Sequence, residues 1–224
     1  MDLKAMFPNL NTMWVRWSAY EIADYHGVSY LMPSPGSEAF QYNCAEQPEI
    51  LVADALELGR QITENADDVD RPCAAFAARH GLLGLGGGKD AGPFSSGDVA
   101  PCYRPVNEKD YGEEIERFKT ELQALYQHFL STRDGAAAFD TIPAITGSLS
   151  YKLTSGQTPQ LVWKMDSLQS VLHFAYAAIV TDPSAPLKLC KNCGKVYHNP
   201  HAKSEFCGVK CRNYYNVKAF RKKG

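Results

Sequence analysis

Two close cysteine pairs, Cys190-Lys-Asn-Cys193 and Cys207-Gly-Val-Lys-Cys211, constrain this chain more than any other feature. Pairs of this kind place four thiolates tetrahedrally around one zinc ion, and the ion supplies cohesion that a short segment cannot draw from a core of its own. Gly194, directly after the first pair, permits the positive φ of a tight knuckle. Val196 and Tyr197 read as the start of a strand, and Phe206 as the end of its partner. Cys207 and Cys211 have the i, i+4 spacing of a first helical turn, whose positive dipole end favours thiolates. The expected ligands of one structural Zn²⁺ are therefore Cys190, Cys193, Cys207 and Cys211. Their layout is that of a treble clef, a zinc knuckle followed by a second knuckle and a helix. A redox pair would leave Cys207 and Cys211 unexplained, and His198 and His201 read as surface residues rather than ligands.

Charge is divided just as sharply. Residues 187–224 hold ten Lys and Arg against the single acid Glu205, a formal +9, which leaves −11 for residues 1–186. A helix over about 208–223 places Phe220, Asn213, Val217 and Tyr214 on one arc and Lys218, Lys222, Tyr215, Arg212 and Lys223 on most of the other. The apolar arc is expected to pack on the knuckle or the larger domain, and the basic arc to follow a nucleic-acid backbone. In that reading Lys210, Arg212, Lys218, Arg221, Lys222 and Lys223 neutralise phosphates, while Asn213, Tyr215 or Asn216 reach base edges. These residue types do not separate DNA from RNA. The competing reading is a protein-interaction or assembly module with a purely structural zinc, whose basic helix meets an acidic partner such as residues 1–186 of another copy.

Residues 1–186 read as one domain and 187–224 as a second. The first forty residues look like short strands broken at Pro33-Ser-Pro35-Gly36. Pro48 opens a helix reaching about Asn65, and Asp70-Arg-Pro72 opens another that Gly81 or Gly84 ends. Residues 84–110 read as a flexible loop. Their Gly84-Leu-Gly-Gly-Gly88-Lys89-Asp90 run misses a phosphate loop, because Leu83 falls where the first glycine belongs and Asp90 where a Ser or Thr would hold magnesium. Asp110 and Glu113 have capping-box spacing ahead of a stripe of Ile115, Phe118, Leu122, Leu125 and Phe129. A hairpin is expected over 145–164, then a helix capped by Asp166 or Ser167 with Leu168, Val171, Leu172, Ala175 and Ile179 on one face. The fold class is thus α+β: a mainly helical N-terminal domain with a small hairpin or sheet, then the zinc knuckle and basic helix.

No run of apolar residues is long enough to span a membrane, and the start lacks the layout of a secretion signal. Paired cysteines beside the scattered Cys44, Cys73 and Cys102 fit a reducing cytoplasm with metal binding. A Cys₄ site has no open position at which to activate water, and no His-Glu-x-x-His or Gly-x-Ser-x-Gly occurs. His198-Asn-Pro-His201 is too compact for a nuclease centre, and His128 and His173 fall on amphipathic helices as core-edge residues. The chain reads as a non-enzyme.

Cys190, Cys193-Gly194, Tyr197, Phe206-Cys207, Cys211, Asn213 and the run Asn216-Val-Lys218-Ala-Phe220-Arg221-Lys222 together resemble the bacterial CGNR-type zinc-finger proteins. The similarity covers about 187–222, with a softer likeness in the helix–hairpin–helix order of 111–181. Cys211-Arg212-Asn213-Tyr214 replaces the Gly and Arg of that family's motif, and the pair spacings are narrower, which points to a sister family. The resemblance implies a DNA-binding transcriptional regulator, with DNA favoured over RNA, whose N-terminal domain senses a small-molecule ligand.

Overall fold

The computed structural model describes residues 10–64, 68–85, 112–134, 145–165, 167–182, 187–198 and 203–221. The loop expected over 84–110 falls outside them from residue 86 onward, as do Cys102, Asp110, Asp166, His201, Lys222 and Lys223.

The chain enters through strands β1 (Leu10–Asn11), β2 (Met13–Trp17), β3 (Tyr20–Tyr25), β4 (Val28–Pro33) and β5 (Ala39–Asn43). Strands β3 and β4 form a hairpin closed by His26 and Gly27, both at positive φ (51° and 82°), the conformation of a two-residue turn whose twist matches its strands. Strand β2 pairs antiparallel with β5, setting Arg16 opposite Phe40 and Trp14 opposite Tyr42.

Helix α1 (Pro48–Thr63) begins at its proline as expected, and α2 (Asp70–His80) stops where Gly81 takes φ +84°. A side chain on Gly81 would run into the Val15 carbonyl and the Trp14 indole. Strand β6 (Glu113–Glu114) adds to β4 and leads into α3 (Ile115–Asp134). Strands β7 (Ser150–Leu153) and β8 (Leu161–Lys164) form the expected hairpin, shorter than the pattern implied, and β1 lies parallel to β8. Helix α4 (Leu168–Thr181) is capped by Ser167, whose hydroxyl accepts from the Ser170 amide at 3.0 Å. Strands β9 (Leu187–Leu189) and β10 (Val196–His198) and helix α5 (Val209–Arg221) complete the described chain.

The architecture is mixed, with small, mostly antiparallel sheets against a helical layer, and the strand content before residue 100 exceeds the mainly helical expectation. Short edge-rich strands of aromatic and β-branched residues need that layer to cover them. Helix α1 is its centre and packs on α3, α4, α2 and β10. The predicted stripe is the core of α3, with Ile115, Phe118, Leu122, Leu125 and Phe129 all buried. The α4 face of Leu168, Val171, Leu172, Ala175 and Ile179 is buried as well. Each such side chain contributes about 2 kcal/mol by leaving water. Cys44 and Cys73 are buried thiols, and burial pushes both up to about 12, so they pack as small hydrophobes.

The capping box expected between Asp110 and Glu113 is corrected by a longer-range contact. The Glu113 carboxylate accepts the backbone amides of Leu83 and Leu85, each at 2.9 Å, and that of Gly84 between them. It is 4% exposed and sits in β6, ahead of the helix it was expected to cap.

Helices α1 and α3 touch backbone to backbone at Gly59. A methyl group there would collide with the Leu122 carbonyl oxygen and lie 2.8 Å from Tyr126 Cβ. Gly59→Ala is therefore expected to lower stability by about 1–3 kcal/mol despite the better helix propensity of alanine, read from urea unfolding. Neutral or improved stability would show that the two helices slide apart freely.

Candidate metal centre

The first knuckle is built by the backbone. The Gly194 amide donates to the Cys190 carbonyl at 2.9 Å, and the Cys190 amide to the Lys195 carbonyl at 2.9 Å. Gly194 takes φ +71° with open space around it, so conformation alone requires a glycine here. The turn feeds β10, which pairs with β9 in the register Val196 to Leu189 and His198 to Leu187. The second pair lies at the start of α5, where the Arg212 amide bonds the Gly208 carbonyl at 3.2 Å. Side chains tie the two halves together. Lys188 Nζ and the Tyr197 hydroxyl both donate to the Ser204 carbonyl, at 3.1 and 3.0 Å, and the Lys191 amide donates to the Glu205 carbonyl.

The sulfurs of Cys190, Cys193, Cys207 and Cys211 all lie within 4.8 Å of one another. Cys193 to Cys207 and Cys193 to Cys211 measure 3.7 Å, and Cys207 to Cys211 measures 3.5 Å. With metal–sulfur bonds of about 2.3 Å, a tetrahedron of thiolates has edges of about 3.8 Å. The cluster therefore has the donor set and the size to hold a metal ion.

Electrostatics give the same answer. Burial pushes the Cys190 thiol up, but backbone amides at Cys207, Cys193 and Asn192 outweigh it and bring the value down to about 6. Burial also raises Cys193 and Cys207, and there the neighbouring sulfurs resist further ionisation. One thiolate forms readily beside amide donors, and the rest need a cation between them.

The knuckle is seated on the core through β10. Val196 is fully buried in the main hydrophobic cluster, and its amide donates to Glu57 of α1 at 3.3 Å. Burial opposes the Glu57 charge, yet Arg60, Gln61 and the Val196 amide hold its carboxyl below the usual range. Helix α5 behaves differently, since none of its residues is buried.

The arc of α5 expected to pack inward faces solvent instead: Phe220 is 82% exposed, Tyr214 64% and Val217 51%. The reason is the phase set by the four-sulfur cluster. Cys211 must face the other sulfurs, and Tyr215, one turn on, is carried to the same side, where its ring lies 5.2 Å from that of Phe206. Tyr215, assigned to the base-reading set, thus braces the second knuckle. Lys210, Arg212, Asn213, Lys218 and Arg221 are exposed along α5, as the sequence placed them.

No protein-family model, curated protein or solved structure matches this chain.

His80, His128 and His173 make internal contacts. His80 pairs with Asp54 at 2.8 Å, and His128 meets the Tyr176 hydroxyl at 2.8 Å. His173 is buried, with Nδ1 2.6 Å from the Thr146 carbonyl and Nε2 2.8 Å from Glu121, an ion pair off the line of a good hydrogen bond. Burial opposes the His173 charge, but Glu121 and the Thr146 carbonyl raise its pKa above the ordinary histidine value. The Glu121 carboxyl is correspondingly lowered, chiefly by His173.

Two outcomes follow. If the cluster holds a metal ion, stripping it with a chelator should release α5 while β10 stays on α1: hydrogen exchange should show lost protection over 209–221 and retained protection at Val196. Cys207→Ala should mimic that state with most helical circular dichroism preserved, whereas loss of protection throughout would mean that the metal holds the main core too. For the ion pair, the His173 contribution is complete below about pH 6.5 and lost as pH rises through its raised value. The Glu121 contribution is present above about pH 4.3 and lost as pH falls through its lowered value. The difference in Tm between wild type and Glu121→Gln should thus peak near about pH 5–6 and shrink on either side. A difference independent of pH would show that the pair carries no charge.

Proposed function

We propose that this protein binds nucleic acid through a zinc-held basic helix, as a DNA-binding regulator. The observation that carries the reading is the state of α5: anchored at one end by a four-sulfur cluster, it exposes Lys210, Arg212, Lys218 and Arg221 and holds no acidic residue. A helix fixed at its base and bare along its length suits insertion into a groove about 12 Å wide. Zinc is the fitting ion, since four thiolates in a tetrahedron of this size match its preference for sulfur and a closed structural shell. The cysteine pattern, with a knuckle before a helix-borne pair, accords with a treble clef and with the resemblance of residues 187–222 to CGNR-type fingers. Asn213 lies on the solvent side of α5, where its amide suits an adenine edge.

With four to six phosphates contacted, affinity should fall with salt on a log–log slope of about −4 to −5. Fluorescence anisotropy of the zinc-loaded protein with labelled duplex DNA and single-stranded RNA at several salt concentrations measures this. Lys218→Glu combined with Arg221→Glu should reduce both affinity and slope. Binding that ignores salt or survives those changes would refute the reading.

A second reading rests on the apolar side of the same helix. Phe220, Tyr214, Val217 and Val209 form an exposed strip that suits a protein partner. Association between copies, seen as a concentration-dependent size in gel filtration without nucleic acid, would favour an assembly module.

A further inference from the structure

A cavity of about 340 Å³ opens between β2, β5, the start of α1 and the end of α2, far in sequence from the cysteines. Arg16, Asn43, Gln47, Arg79, Ile50 and Leu51 are among its lining residues. Arg16 is the unusual member. It is partly buried, and its guanidinium lies 5.6 Å from the ring centroids of both Phe40 and Tyr42. One N–H is committed, from Nη1 to the Ala78 carbonyl at 2.9 Å. Among the described residues no carboxylate pairs with it, although residues 1–186 carry −11. Arg79 differs, because it pairs with Asp54 at 2.6 Å. A partly buried guanidinium with no carboxylate paired to it among the described residues keeps its charge free to attract an anion.

The surrounding groups are fixed and rich in donors. Asn43 Oδ1 already accepts from the Thr12 hydroxyl at 2.5 Å and the Ala45 amide at 3.1 Å, which leaves the Nδ2 hydrogens as what Asn43 can offer. Gln47 stands at the N-cap of α1 without making the side-chain cap, at the positive end of that helix. The Tyr42 hydroxyl donates to the His80 carbonyl at 2.6 Å, and Cys44 Sγ to the Thr12 carbonyl at 3.1 Å, so the walls are locked before any ligand arrives. Glu46, exposed, is the one acid in the lining. Ile50 and Leu51 give the cavity an apolar side, and its volume suits a metabolite rather than a macromolecule.

We infer that this cavity binds a small organic anion, its carboxylate or phosphate oxygens held by the fork of Arg16 with the Asn43 and Gln47 amides. The fork matches two oxygens of either group, and the Phe40 and Tyr42 rings flank it. This inference is independent of what α5 binds.

The test uses the full chain with benzoate and inorganic phosphate as probes, followed by thermal shift and isothermal titration, with sodium chloride at matched ionic strength as reference. At least one probe should raise Tm saturably beyond chloride, and which one does so separates an aryl carboxylate from a phosphate. Arg16→Lys keeps the charge but loses the fork, and should weaken that binding about tenfold or more. Gln47→Glu places a negative charge at the rim where the start of α1 tolerates it, so it should keep the ligand-free Tm and still weaken binding. Saturable binding unchanged by either variant, or no response beyond chloride from either probe, would overturn the inference.

Discussion

Burying the Glu113 carboxylate raises its pKa, yet around it the small sheets and the helical layer are joined. Burial opposes its charge, and the amides of Leu85, Leu83 and Gly84 together with Arg117 work the other way. An unpaired carboxylate in that position would be prohibitive, and three amides aimed at it make the position tenable. What the contact secures is the exit from α2. Leu82 offers its carbonyl to the Trp14 indole at 3.0 Å, and Leu83 offers its own to the Gln169 amide at the start of α4 at 2.9 Å. Through four consecutive residues the sheet of β3, β4 and β6, the buried Trp14 and three helices are brought to one junction. The amides of Leu83, Gly84 and Leu85 and the carbonyls of Leu82 and Leu83 all find partners at this junction.

The cysteine module answers a different problem. It has little core of its own: β10 borrows one by sending Val196 into the main cluster, and α5 does without. Between them the sulfurs supply what apolar contact does not. The formal charge of +9 on residues 187–224 needs such an arrangement, because ten cations do not fold onto one another without a rigid frame to space them.

Features set by neighbours along the chain were legible in the sequence. Pro48 marked the start of α1, the Ile115 to Phe129 stripe marked the core of α3, and Ser167 marked the cap of α4. The clustering of Cys190, Cys193, Cys207 and Cys211 was legible for the same reason, since each pair is local and thirteen residues separate the two pairs. Features that depend on distant pairing were not. Glu113 had the right spacing for a capping box, but its partners lie some thirty positions back, and nothing local records that choice. The inward side of α5 was misjudged because a helical wheel ranks faces by polarity, whereas a single ligand, Cys211, fixes the rotation. The Arg16 cavity went unread although a signal was there: Phe40 and Tyr42 alternate on one face of β5, the pattern of a strand that presents two rings to a residue opposite.

Helix α5 is held at its first turn by the sulfur cluster and meets the knuckle again where Tyr215 packs on Phe206. Its thirteen residues extend about 20 Å, so it acts as a lever whose pivot is the sulfur cluster. A tilt of about 10° at the pivot would carry Arg221 sideways by about 3 Å, while Lys210 scarcely moves. Small adjustments in the geometry of the sulfur cluster are thereby magnified at the far end. The same four cysteines that fix the helix also set the gain with which any strain in the knuckle is transmitted along it.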